Sequence, residues 1–184
     1  MSRESSPYKD ISILQCSLND ERVTNFRLQI IDDIGDKQNE SYMVKWFTEP
    51  KWTKNNFELI NLVLVEDKII AISCNKVQPD NTVKVLCHYY VLRDYRSKYR
   101  SLQHTDIIPS DVEYAKSLNL SGIWYSIHAF DQRHKRYAES NIRMLNGGKV
   151  GYESQPYWPL FKYEGEVSYN NVMQHKFYFD LNRV

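Results

Sequence analysis

The residues whose types and spacing could do chemistry cluster in one short stretch, Val91-Leu92-Arg93-Asp94-Tyr95-Arg96-Ser97-Lys98-Tyr99-Arg100-Ser101. Arg93, Arg96, Lys98 and Arg100 set against Asp94 give it a local charge of +3. An apolar run that reads as a strand precedes it, and a run that reads as a helix follows. A basic loop at that junction suits an anion. The first N–H groups of a helix lack intrahelical partners, and the helix dipole is positive there. Arginine and lysine side chains add donors matched to phosphate. Other chemistries find little support. His128, His134 and His175 do not fall at metal-ligand spacing, so no metal site is expected. There is no Gly-x-Ser-x-Gly and no Walker-type Gly-Lys-Ser/Thr.

The elements that must position this stretch can be read from periodicity and turn residues. Ile11 to Leu14 reads as a first strand. Asn19 or Asp20 caps a helix from Glu21 to about Ile34, with Val23, Phe26, Ile30 and Ile34 on one face and Gly35 as its stop. Asp36 to Glu40 is a polar loop. A short aromatic helix or turn around Tyr42, Met43, Trp46 and Phe47 ends at Pro50. Strands follow over 57–65, 69–77 and 83–92, joined by the turns Glu66-Asp67-Lys68 and Pro79-Asp80-Asn81, which makes an antiparallel meander. A helix over 106–118, with Pro109 in its first turn, offers Ile107, Val112, Ala115 and Leu118 as a buried face. A strand over 121–127 then requires a right-handed β–α–β crossover and parallel pairing. A basic helix from Phe130 to Leu145, stopped by Asn146-Gly147-Gly148, precedes two aromatic strands, 161–169 and 173–181, around Asn170-Asn171. Arg133 to Arg136 reads as an exposed helix face. The order is β–α–α–β–β–β–α–β–α–β–β, an α/β (α+β mixed) fold whose mixed sheet carries helices on both faces.

Composition bounds the rest. The 184 residues suit a single domain, with 1–9 polar and flexible and the best-supported core over 57–181. A net charge of +1 disfavours a general nucleic-acid binder, which needs a basic face. Cys16, Cys74 and Cys87 are widely separated and read as reduced thiols of a cytoplasmic protein. No apolar run approaches the roughly 20 residues of a membrane span.

That element order, with a phosphate-type loop after the fourth strand, resembles the GNAT (Gcn5-related N-acetyltransferase) superfamily. Its signature is Arg/Gln-x-x-Gly-x-Gly/Ala. Arg96 falls at the Arg/Gln position, Tyr99 where the first glycine belongs and Ser101 at the Gly/Ala position. The resemblance implies acetyl-coenzyme A as cosubstrate, its pyrophosphate held by Arg93, Arg96, Ser97, Lys98, Tyr99, Arg100 and Ser101. A backbone donor near Val91 or Leu92 would serve the thioester oxygen. Tyr137, in His134-Lys135-Arg136-Tyr137-Ala138, resembles the tyrosine that protonates the leaving thiolate, although Phe130 stands where the family often has Asn. The base would be His128 or His88, with Glu113 a weaker candidate. The implied partner is a small-molecule or peptide amine, and a homodimer is compatible. The alternative is a degenerate member of the fold that binds a ligand or partner without chemistry. The acceptor region would hold Tyr42, Trp46, Trp52, Tyr157 and Trp158, with Glu40, Glu164 and Glu166 as acidic residues there.

Overall fold

The computed structural model describes residues 8–35, 41–48, 50, 52–54, 56–129, 132–145, 157 and 160–183. The side chains of 41–43 and 133, those of Tyr42, Met43 and Arg133 included, lie outside the described ones. The Asp36–Glu40 loop, Phe130, the Asn146-Gly147-Gly148 stop and Trp158 also lie outside the described residues.

The elements run β1 (Ile11–Cys16), α1 (Glu21–Ile34), α2 (Ser41–Phe47), β2 (Leu59–Val65), β3 (Lys68–Val77), β4 (Thr82–Val91), α3 (Arg93–Arg96), a π-helical turn (Gln103–Ile107), α4 (Ile108–Ser117), β5 (Gly122–His128), α5 (Gln132–Leu145), β6 (Lys162–Tyr169) and β7 (Val172–Asp180). The strands form one mixed sheet in the order β1-β2-β3-β4-β5-β7-β6. The expected α/β mixed fold is therefore observed. β2 pairs antiparallel with β1 and with β3, β7 pairs antiparallel with β5 and with β6, and β4 runs parallel to β5. The parallel register covers Thr82↔Gly122, Val83↔Ile123 and Lys84↔Trp124, while β4 continues to Val91.

The turns follow their residue chemistry. Glu66 (φ 47°) and Asp67 (φ 68°) both adopt left-handed backbone, as do Asn170 (φ 51°) and Asn171 (φ 61°). Each pair makes a two-residue hairpin, closed by the neighbours Val65↔Lys68 and Tyr169↔Val172. Such turns match the right-handed twist of the flanking strands. Leu86 also has positive φ (55°), inside β4, where no turn calls for it. A branched residue held there stores roughly 1–2 kcal/mol of strain.

The described residues gather into two compact units. One comprises the described parts of 8–76 and 87–100, the other the described parts of 77–86 and 101–184. In the N-terminal unit, Asp20 caps α1 by accepting from the Arg22 N–H at 2.9 Å. Gly35 (φ 56°) ends it and donates to the Ile31 carbonyl at 3.0 Å. Val23, Phe26, Ile30 and Ile34 are fully buried, as their spacing predicts, and pack with Phe47, Ile60, Leu62 and Ile72. Each such side chain contributes roughly 1.5–3 kcal/mol by leaving water.

In the C-terminal unit the helix after the basic stretch begins earlier than Asp106. The chain coils from Leu102, and Gln103–Ile107 is π-helical. Pro109 has no N–H to give the Thr105 carbonyl, so the ladder cannot continue regularly into α4 and the preceding turn widens. Ile107, Val112 and Ala115 are buried, but Leu118 is 44% exposed, against expectation. The cause is the C-cap. Asn119 adopts φ 54°, its N–H reaches the Lys116 carbonyl at 3.0 Å, and the Leu120 N–H reaches the Ala115 carbonyl at 3.1 Å. This Schellman closure turns Leu120, not Leu118, into the core beside Ala115.

Candidate functional site

In the N-terminal unit, the stretch expected to be a basic loop is a helical turn in its first half. Val91 and Leu92 are buried at the end of β4, and the Leu92 N–H donates to the Ile70 carbonyl at 2.9 Å. α3 then begins at Arg93. Asp33, near the C-terminal end of α1, anchors this corner. One of its oxygens accepts from the Tyr90 hydroxyl at 2.8 Å and from the Arg93 N–H at 3.1 Å. The Arg93 guanidinium donates to the Ile34 carbonyl at 2.9 Å, where cationic groups favour a helix C-terminus. Arg96 donates from Nε to the Val91 carbonyl at 2.8 Å, with its guanidinium 4.7 Å from the centre of the Tyr90 ring. Both arginines therefore spend donors on the protein itself.

Tyr99, at the position where the resemblance wants glycine, is 1% exposed. Its ring points inward, 5.0 Å from the Tyr8 ring and 6.2 Å from that of Tyr95. Its hydroxyl donates to Asp10 Oδ2 at 2.7 Å, and Lys98 Nζ reaches the same oxygen at 2.7 Å. Lys98, then Tyr99, hold the Asp10 carboxyl below the usual carboxylate range, and Asp10 in turn pushes the Lys98 ammonium above its ordinary value. Burial pushes the Tyr99 phenol up. Position 99 is not among the described residues with left-handed backbone, so its φ does not require glycine. Ser97, Lys98 and Arg100 are exposed.

In the C-terminal unit, Ser101 is half-buried and its carbonyl accepts from the His104 and Thr105 N–H groups, starting the helical run. Tyr137 stands on α5 and is 41% exposed. Its hydroxyl donates to Gln103 Oε1 at 2.7 Å. Asn141, fully buried one turn on, donates to the Tyr137 carbonyl at 2.8 Å and accepts from the Tyr125 hydroxyl at 3.1 Å. Burial pushes the Tyr125 phenol well up, with Tyr137 acting in the same direction. His128 is the last residue of β5 and half-buried, its ring 6.0 Å from that of His134. Glu113 accepts from the Tyr157 hydroxyl, and burial pushes that phenol to about 12. His88 belongs to the other unit, where Trp46, Phe57 and Phe47 surround its ring at 4.9, 5.2 and 6.0 Å.

The sequence-predicted residues thus fall into two sets: Val91 to Arg100 in one unit, Ser101, His128 and Tyr137 in the other. Four participants were missed. Asp10 and Asp33 carry no local signal, since each acts on a residue far along the chain. Gln103 lies 34 positions before Tyr137, and only the fold brings them into contact. Asn141 had a signal, its i+4 spacing from Tyr137. Among the described residues, no group of three or more His, Cys, Asp or Glu is arranged to hold a metal ion, and no helix is long and apolar enough to cross a membrane.

The sheet order, the parallel β4–β5 pair and the helix after each of those strands define the fold of the GNAT N-acetyltransferases. An N-acetyltransferase from Staphylococcus aureus Mu50 is similar to this chain at 14% identity, with TM-score 0.54 and 92% of this chain and 99% of the other covered. A probable GNAT-family acetyltransferase from Chromobacterium violaceum ATCC 12472 matches at 13% identity and TM-score 0.53, over 99% and 94%. A spermidine N-acetyltransferase SpeG chimera from Vibrio cholerae and hSSAT matches at 13% identity and TM-score 0.52, over 95% and 98%. No protein-family model and no curated protein matches the sequence.

Proposed function

We propose that this chain is an acyl-CoA-dependent N-acetyltransferase that moves an acetyl group from acetyl-coenzyme A to the amine of a small molecule or peptide. The observation that carries the reading is Tyr137: a phenol held by hydrogen bond yet 41% exposed, on the helix after the fifth strand of this fold. The end-to-end likeness to N-acetyltransferases supports it, and the spermidine enzyme among them favours a small cationic amine.

The residues fit an anionic cosubstrate. The exposed Ser97, Lys98 and Arg100 offer donors for a pyrophosphate. Arg93 and Arg96 shape the turn through the carbonyls they bind, and the inward Tyr99 ring leaves the outer side of the turn to the exposed residues. The Leu92 N–H is already given to the Ile70 carbonyl, so of the two candidates the backbone N–H at Val91 is assigned to the thioester oxygen. His128 accepts a proton from the acceptor amine, whose nitrogen attacks the thioester carbon. The C–S bond then breaks, its electron pair stays on sulfur, and Tyr137 gives its phenolic proton to that thiolate. Isothermal titration with acetyl-coenzyme A tests the reading. Binding in the micromolar to millimolar range is expected, and none at millimolar ligand would overturn it.

A second reading, a catalytically degenerate ligand- or partner-binding member of the fold, draws on one observation. Arg93, Arg96 and Lys98 already bond to protein groups. Acetylation of any amine by the wild-type chain would rule it out.

A further inference from the structure

Gln103 is a polar side chain the fold has gone to some length to bury. It is 7% exposed, yet a glutamine leaves water at a cost unless its amide finds partners. The partner of its Oε1 is the Tyr137 hydroxyl, at 2.7 Å. It also sits at the first position of the π-helical turn Gln103–Ile107, an irregularity that shifts side chains around the helix axis and is frequent at functional sites. Tyr137 is fixed at its other end, where Asn141 donates to its backbone carbonyl. The tip of the phenol is therefore set by Gln103, while the residue as a whole is 41% exposed.

We propose that Gln103 is the positioning residue for Tyr137: its carboxamide accepts from the phenol O–H before proton transfer and turns to donate Nε2–H to the phenolate afterwards. This rests on the acetyl-transfer reading above. A carboxamide is the one side chain of this length that serves both states. It offers a carbonyl to the acid and an N–H to the anion by rotating about its last torsion. In the step itself the Tyr137 O–H bond breaks, the proton joins the thiolate sulfur, and the electron pair stays on the phenolate oxygen. A glutamate at 103 would repel that anion, and a methionine would give it no strong donor. Tyr125 on β5 interacts electrostatically with Tyr137; along the chain, His104 and Asp106 neighbour Gln103 on the π-helical turn, and His134, Arg136 and Glu139 neighbour Tyr137 on α5. Burial pushes His104 down to about 3, so it stays neutral throughout the range of interest.

The test uses the full chain with 13Cζ-labelled tyrosine, the Tyr137 signal being identified by its loss in Tyr137→Phe. The signal is titrated in wild type, Gln103→Glu and Gln103→Met. The Tyr137 midpoint should rise by about one pH unit in Gln103→Glu and by a smaller amount in Gln103→Met. Turnover in Gln103→Met should fall about tenfold with KM for acetyl-coenzyme A unchanged. A merely structural clip would change melting temperature and leave the midpoints together. The same midpoint in all three proteins, with acetyl-coenzyme A bound normally, would overturn the proposal. Shifted midpoints in a chain that binds no acetyl-coenzyme A would support the Gln103–Tyr137 coupling and overturn the acetyl-transfer reading instead. Should Gln103→Met fail to fold, the isosteric Gln103→Glu decides alone.

Discussion

Two tyrosines stand at the two positions of interest, and the fold treats them oppositely. Tyr99 in the N-terminal unit is wholly buried. Its hydroxyl is tied to Asp10 and its ring packed on Tyr8 and Tyr95. Tyr137 in the C-terminal unit is tied by its hydroxyl to Gln103 but is 41% exposed. Each makes one strong hydrogen bond, so bonding alone does not separate them. What separates them is where the ring lies. A phenol sealed in the core stiffens its surroundings, whereas one fixed at the tip and open along its side can meet a ligand. On the proposed function, Tyr99 belongs to the architecture and Tyr137 to the chemistry.

The largest expected effect tests the architectural side. Tyr99→Gly should lower folding stability by about 3–5 kcal/mol, the usual loss for a buried aromatic, as read by chemical denaturation. It should not tighten acetyl-coenzyme A binding. A stable Tyr99→Gly protein that binds acetyl-coenzyme A more tightly would instead mean that the ring obstructs the turn.

Next in size is the chemical side. Tyr137→Phe should lower kcat about a hundredfold, roughly 2.7 kcal/mol of transition-state stabilisation, with affinity for acetyl-coenzyme A unchanged in calorimetry. Unchanged turnover would remove Tyr137 from the mechanism and collapse the contrast.

A smaller effect divides the arginines of the basic stretch. Arg96→Ala loses a bond to the Val91 carbonyl and should cost about 1 kcal/mol of stability. Arg100→Ala, at an exposed position, should leave the melting temperature unchanged and weaken acetyl-coenzyme A binding by roughly three- to tenfold. The reverse outcome would exchange their roles.

The smallest effect concerns Asp10. Its carboxyl is depressed in the folded chain, so it contributes stability above the ordinary carboxylate range and loses it as pH falls through the folded value. Wild type should therefore lose more melting temperature than Asp10→Asn between about pH 5 and pH 2. Parallel curves would show that the Asp10 contact with Lys98 and Tyr99 does not hold in solution.

Much of the fold was legible because its signals are local. The α1 face, its Asp20 cap and Gly35 stop, and the Asn170-Asn171 hairpin follow from spacing and turn chemistry within a dozen residues. The parallel β4–β5 pair followed from chain connectivity. The misses have local causes of another kind. The helix start at Leu102 and the exposure of Leu118 turn on how Pro109 and Asn119 redirect a ladder of hydrogen bonds, which periodicity does not report.

The candidate site divides along the same line. The sequence by itself determined which residue types stand after the fourth strand and on the helix after the fifth, and the charge of the former. It could not decide which of those side chains turn inward. Tyr99 and Tyr137 are the same residue type, and their fates depend on Asp10 and Gln103, 89 and 34 positions away. Lys84 makes the same point. A lysine in a strand suggests an exposed edge, yet its ammonium is buried 3.7 Å above the Tyr169 ring and beside Trp124. Burial is a property of what the chain brings alongside a residue, and only the tertiary structure supplies those neighbours.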